Sequence, residues 1–229
     1  MKTNCESALP ALVVMLTYSD FTVENAEEVF EQCKTSLASY WGIKEKPLPV
    51  ETMRRLFAKM KEYGKRTVLE VVGYDEAEGM RGAQTAAACG CDILMGTKFY
   101  ESIAEFCAKH RIKYMPFVGH IEGRPSVLTG TIDEIVAEAR EMIAKGVYGI
   151  DLLGYRYIGD AVALNKAVVE GVNAPVCIAG SINSYKRLDE MKAVAPAMFT
   201  IGSAFFNNKF GTGFCRQIDN VVNYLFEQD

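Results

Sequence analysis

Three side chains stand where the apolar pattern of the chain should not carry them. Lys98 follows the run DILMGT, Glu70 interrupts TVLEVVG, and Asp151 interrupts YGIDLLG. Lysines and carboxylates are seldom buried without a partner, because desolvating a charge is costly. A lysine amine kept partly dry loses basicity and can attack a carbonyl to form an imine. A carboxylate beside it can orient a water or shuttle protons. Glu70 precedes Gly73 by the same three residues that separate Asp151 from Gly154, so the two acids hold equivalent places on two strands. His120, one of two histidines, follows a further apolar run and offers a general acid, a general base or a hydroxyl ligand. Each has a plainer reading. Lys98 can be a first-turn surface charge or an anion ligand, and the two acids can face helices as structural bridges. His110, which ends AEFCAKHRI, reads as a surface residue at a helix C-terminus.

Side chains spread this far along a sequence need a scaffold that gathers strand ends. Short apolar runs rich in β-branched residues occur near 11–18, 36–43, 67–73, 92–97, 112–119, 147–154, 175–181 and 197–203. Between them the spacing turns helical. Pro49 to Gly64 shows one apolar face, Thr131 to Glu134 spells a capping box, Ser184 precedes another helix, and a last one runs from about Phe214 to Phe226. Six successive runs end in glycine plus a residue able to face a ligand: Gly73-Tyr74, Gly96-Thr97, Gly119-His120, Gly154-Tyr155, Gly180-Ser181 and Gly202-Ser203. An open sheet concentrates its site at one switch point, whereas a closed barrel rings one pocket with all its strand ends. The expected fold is a single α/β domain over residues 1–229, a (β/α)8 TIM barrel.

The last two units, PVCIAGSINSYKRL and AMFTIGSAFFNNKF, each set Gly-Ser between an apolar strand and a helix. Backbone N–H groups at such a junction can hold an anion without a cationic side chain. A short extra helix is expected within Ala204 to Phe210. This part of the chain resembles the ribulose-phosphate-binding barrels, in particular sugar-phosphate epimerases and the barrels of histidine and tryptophan biosynthesis. The resemblance implies a phosphate or similar oxyanion near Gly180, Ser181, Gly202 and Ser203. It departs from those families at the seventh strand, where many show a double glycine and this chain has Gly180-Ser181.

A lysine at the end of the fourth strand is also similar to class I aldolases and transaldolases. That similarity implies Lys98 as the Schiff-base lysine, Glu70 as the group positioning the catalytic water, and Asp20 (in TYSDF) as the aspartate at the end of the first strand. The local motif differs, since those families carry the lysine within the strand and Lys98 comes after Gly-Thr. Arg156 and Tyr155 follow the sixth strand and Thr97 the fourth, all as substrate or phosphate ligands. Arg124, in the loop IEGRPSVLTGT, suits a lid, and Tyr74, Asp75 and Lys44 complete the rim.

Composition narrows the field. The net charge is −4 and 49% of residues are apolar, so charge gives no reason to expect nucleic acid and a sizeable core can form. No apolar run reaches about 18 residues, so a membrane is not an expected partner. The first residues lack a signal-peptide cleavage pattern. Seven cysteines, odd in number and without zinc spacing, read as reduced and buried in a cytoplasmic protein. Two histidines are too few for a His-rich metal centre, and no nucleotide loop follows the first strand, so neither metal nor cofactor is expected. A homo-oligomer is compatible with the surface.

Three readings result. The first is a class I aldolase or transaldolase acting on a phosphorylated or sulfonated keto sugar through Lys98. The second is a sugar-phosphate isomerase or epimerase in which a carboxylate pair moves the proton. The third is a ligand-binding regulator, because the segment MGTK also resembles the glycerol-uptake operon antiterminator regulators.

Overall fold

Alternation along each strand sends one set of side chains into a barrel and the other against a shell of helices. The computed structural model describes residues 9–227. Its barrel strands are β1 (Ala11–Met15), β2 (Tyr40–Lys44), β3 (Arg66–Gly73), β4 (Ile93–Thr97), β5 (Lys113–Met115), β6 (Ile150–Leu152), β7 (Val176–Ile178) and β8 (Met198–Ile201). Every neighbouring pair is parallel, in the order β6-β7-β8-β1-β2-β3-β4-β5. A parallel bridge between Phe117 and Asp151, with Asp151 N–H donating to Pro116 at 3.0 Å, joins the two ends. The expected (β/α)8 barrel is therefore the fold.

Around it lie α1 (Ala26–Cys33), α2 (Val50–Glu62), α3 (Glu76–Ala88), α4 (Glu101–Lys109), α5 (Ile132–Ala144), α6 (Ala161–Gly171), α7 (Tyr185–Val194), the short α8 (Ser203–Phe206) and α9 (Phe214–Phe226). The capping box forms as read: Thr131 accepts from the Glu134 N–H, and Glu134 accepts from the Thr131 N–H. Ser184 caps α7 through the Arg187 N–H. His110 is exposed at the end of α4, stacked on Phe106. None of the helices among the described residues is long and apolar enough to cross a membrane.

Two apolar layers result from the alternation. Outward-facing Leu12, Val14, Ile43, Leu69 and Phe199 join helix residues such as Phe30, Phe57 and Leu56 in the main core. Inside the barrel, Val13, Met15, Val68, Ile93, Met95, Met115, Cys177 and Met198 fill the lower part. The polar residues of interest sit above this plug, toward the carboxyl ends of the strands, where such barrels place their sites.

One expectation is corrected here. Cys33 on α1 and Cys215 on α9 form a disulfide rather than two thiols. The barrel closes by laying the last helix beside the first, which brings Cα atoms 182 residues apart to 5.0 Å, inside the bridging range. Cys89, Cys91, Cys107 and Cys177 are buried and free, and Cys5 lies outside the described residues.

Candidate active site

Lys44 is the last residue of β2 and continues the inward face of Tyr40 and Gly42. Its register partner on β3 is Glu70, whose inward placement follows from the same pairing. The Lys44 ammonium lies 3.4 Å from Glu70 Oε1 and 3.1 Å from Asp20 Oδ1. Asp20 reaches this point because Ser19 and Asp20 both take left-handed backbone after β1 (φ 50° and 68°), in a tight hairpin pairing Thr17–Tyr18 with Phe21–Thr22. The same Asp20 oxygen accepts from Arg156 Nη2 at 3.0 Å. Lys44 and Arg156 thus converge on one carboxylate.

The charge states follow from these contacts. Burial works to lower the Lys44 pKa, but Glu70 and Asp20 outweigh it and hold the amine above its ordinary value, as ammonium. Burial works to raise Asp20, and Lys44 and Arg156 more than reverse that, keeping it ionised. Asp151 is the opposite case. It is fully buried on β6, neither carboxyl oxygen has a hydrogen-bond partner, and burial together with the nearby charge of Glu70 pushes its pKa well up. Its neighbour on β7, Cys177, is pushed up by burial and by these two acids. Glu70 and Asp151 therefore sit in different surroundings, Glu70 salt-bridged to Lys44 at the cleft and Asp151 buried without a hydrogen-bond partner.

A cleft of about 210 Å³ opens over this group. Gly180, Ser181, Gly202 and Ser203 line its far wall, with Asn183 and Lys209 nearby. Two glycines are required there for different reasons. Gly180 has φ +88°, and a Cβ would come within 2.8 Å of Arg156 Cγ. A Cβ on Gly202 would stand 2.5 Å from Thr17 Oγ1. Ser203 Oγ accepts from the Ser19 N–H at 3.1 Å, which ties this loop to the one carrying Asp20. The expected short extra helix is α8, beginning at Ser203. Gly180→Ala is expected to displace Arg156 and strain the backbone, weakening inorganic phosphate binding about ten-fold in a calorimetric titration. An unchanged affinity would place the anion elsewhere.

Of the residues singled out in the sequence, Asp20, Glu70, Arg156, Gly180, Ser181, Gly202 and Ser203 line the cleft, and Asp151 lies under it. Lys44, expected only as a rim residue, lines the cleft as well, and the structure does not bring the others there. Lys98 is half-buried outside the cleft, its amine 5.9 Å from the Tyr74 ring centre and its N–H bonded to Gly73. Gly96, at φ +91°, and the shifted register beside β3 turn the strand end, so Thr97 faces outward and shares a 2.6 Å hydrogen bond with the Tyr114 hydroxyl. His120 is exposed on a hairpin formed by His120–Glu122 and Val127–Thr129, 3.4 Å from Glu122. Tyr155 lies in a 3-10 turn and donates to Glu190 at 2.5 Å, away from the cleft lining. Lys44 is the residue that sequence reasoning underweights. The available signal is alternation: Tyr40, Gly42 and Lys44 share a face if the strand extends one residue past 43. Among the described residues no three His, Cys, Asp or Glu side chains are grouped to hold a metal ion.

No family model and no curated protein matches this chain. Solved structures do. A 4-hydroxy-2-oxoglutarate/2-dehydro-3-deoxyphosphogluconate aldolase aligns with a TM-score of 0.62 and 14% identity over 93% of this chain and 94% of its own. The N-acetylmannosamine-6-phosphate 2-epimerase of Clostridium perfringens gives 0.63 and 12% over 87% and 89%. A monomeric form of the dimeric phosphoribosylanthranilate isomerase of Thermotoga maritima gives 0.63 and 13% over 95% and 99%. These structures are TIM barrels of the ribulose-phosphate-binding and aldolase-like type, and the likeness at this identity is one of fold.

Proposed function

We propose that this chain is an enzyme that moves a proton next to the carbonyl of a small phosphorylated, or similarly anionic, sugar. Isomerisation or epimerisation is the reaction class. The observation that carries the reading is Lys44, held as ammonium between Asp20 and Glu70, with the buried carboxyl of Asp151 close enough to feel the charges of both Glu70 and Lys44. The substrate anion lies along Gly180-Ser181 and Gly202-Ser203, with its carbonyl oxygen toward Lys44. Glu70, at the cleft wall, removes the proton from the adjacent carbon, and the Lys44 ammonium stabilises the enolate oxygen. Return of the proton from Glu70 to the neighbouring carbon, with Lys44 giving a proton to the first oxygen and taking one from the neighbouring hydroxyl, completes an isomerisation; an epimerisation takes its returning proton from solvent on the opposite face. The same enolate stabilisation would serve cleavage of an adjacent C–C bond, which relates this reading to the aldolase expectation. An imine on Lys98 finds no support in the position of its amine.

The test is incubation in deuterium oxide with a panel of ketose and aldose phosphates, followed by proton NMR at the carbon next to the carbonyl. Deuterium incorporation by the wild type, reduced about 100-fold in Lys44→Met, is the expected result. No incorporation, with a borohydride-trapped adduct on Lys44 or Lys98 instead, would replace this reading by the imine aldolase.

A further inference from the structure

The cleft does not end at Lys44. A second lobe of about 320 Å³ shares Asp20, Lys44 and Ser126 with the first and runs the other way, toward the hairpin after β5. Phe21, Val72 and Pro125 form its apolar wall, and Arg124, Lys46 and Glu45 supply its charge. The cations at the two ends differ in a way that matters. Lys44 and Arg156 are matched by carboxylates. Among the described residues Arg124 and Lys46 enter no ion pair. Arg124 is nevertheless held in place: Nη2 donates to the Val72 carbonyl at 3.2 Å, and the guanidinium lies over the Tyr74 ring at 5.5 Å. Tyr74 in turn donates to the Gly123 carbonyl at 2.8 Å and shares a 2.7 Å hydrogen bond with Ser126, fixing the hairpin that carries Arg124. Most of the donors of this guanidinium remain free, and its planar fork matches a carboxylate or a phosphate. Three cations, Lys44, Lys46 and Arg124, against two carboxylates, Asp20 and Glu45, line this lobe.

We propose that the cleft takes a two-ended anion: a phosphate at the Gly180/Gly202 wall, a reacting carbonyl over Lys44, and a second carboxylate- or phosphate-type anion on Arg124 and Lys46. It rests on the reading of the first lobe as a sugar-phosphate site and narrows the substrate class. The substrate must carry an anion at each end, on either side of the carbonyl held by Lys44. A phosphosugar acid, or a phosphosugar joined to an acidic group, meets that requirement.

The test compares 6-phosphogluconate with sorbitol 6-phosphate, which share chain length and phosphate and differ at the far terminus, carboxylate against hydroxymethyl. Titration calorimetry at low salt is expected to show the carboxylate compound binding about ten-fold or more tightly to the wild type. That advantage should vanish in Arg124→Met, shrink in Lys46→Met, and persist in part in Arg124→Lys. Inorganic phosphate serves as the control for the first lobe. Equal affinity of the two compounds, or an advantage that survives Arg124→Met, overturns the two-ended assignment while phosphate binding stands. Failure of inorganic phosphate and both sugar compounds to bind defeats the phosphate reading, and this inference with it.

Discussion

Glu70→Gln is expected to lower solvent-deuterium incorporation by about three orders of magnitude, the usual consequence of removing a general base. The amide keeps the shape of the side chain and its contact with Lys44 but cannot accept the substrate proton. Asp151→Asn separates the two carboxyls. Asp151 does not line the cleft, so it acts through its neighbours, and its removal should cost about ten-fold and move the pH profile rather than abolish exchange. The fold should respond in the opposite sense. Burial and Glu70 raise the native pKa of Asp151 above its ordinary 3.8, so the native state retains a proton that the unfolded chain has released. Stability therefore falls as pH rises from the ordinary aspartate range toward the raised native value. The Asp151→Asn variant, with an amide that does not titrate, lacks this dependence. Melting curves at about pH 5 and about pH 9 should show the variant gaining a few degrees on the wild type at the higher pH. A difference between wild type and variant that stays constant from about pH 5 to about pH 9 would mean that Asp151 is already ionised and partnered. A stabilised but slower variant is the behaviour of an active-site group whose burial is unfavourable to folding.

How much of this is legible in the sequence differs between the barrel and its mouth. Period-two alternation and the repeated strand-glycine signal determine the fold, because a register slip would turn every inward residue toward the helices. The same counting places Glu70 and Asp151 on the inner face, since both lie inside strands. It fails past the strand ends. Lys98 follows a glycine at φ +91°, and after such a turn the direction of a side chain no longer follows from its position in the chain. Extending the fifth strand to Gly119 carries His120 to the mouth, whereas β5 ends at Met115 and a separate hairpin begins at His120. Lys44 is placed only at the rim for the reverse reason, a strand drawn one residue short. The disulfide is unreadable because it depends on two helices meeting across 182 residues, a contact that only barrel closure creates.

Removing that bridge is the change expected to affect stability most. Cys33 and Cys215 tie α1 to α9, and in the unfolded chain the link closes a loop of most of the protein. Chain-entropy arguments put such a link at about 4–5 kcal/mol. At about 2–4 °C per kcal/mol for a chain of this size, the melting temperature of Cys33→Ala/Cys215→Ala should fall by about 10 °C. Alanine is the better substitute, because Cys33 is buried and serine would hide a hydroxyl there. Thiol titration of the unfolded protein checks the premise directly: five reactive thiols without reductant and seven with it, against seven in both if no bridge exists. The consequence should extend to the cleft. Phe214, next to Cys215, packs against Phe205 and Phe206 at 5.5 Å and 4.7 Å, and those residues belong to α8, which begins at Ser203 of the cleft wall proposed to hold the anion. Freeing α9 should loosen that wall, so the bridge-less protein is expected to bind inorganic phosphate several-fold more weakly below its melting transition. Unchanged phosphate affinity alongside the lower melting temperature would confine the bridge to the outer shell of the barrel.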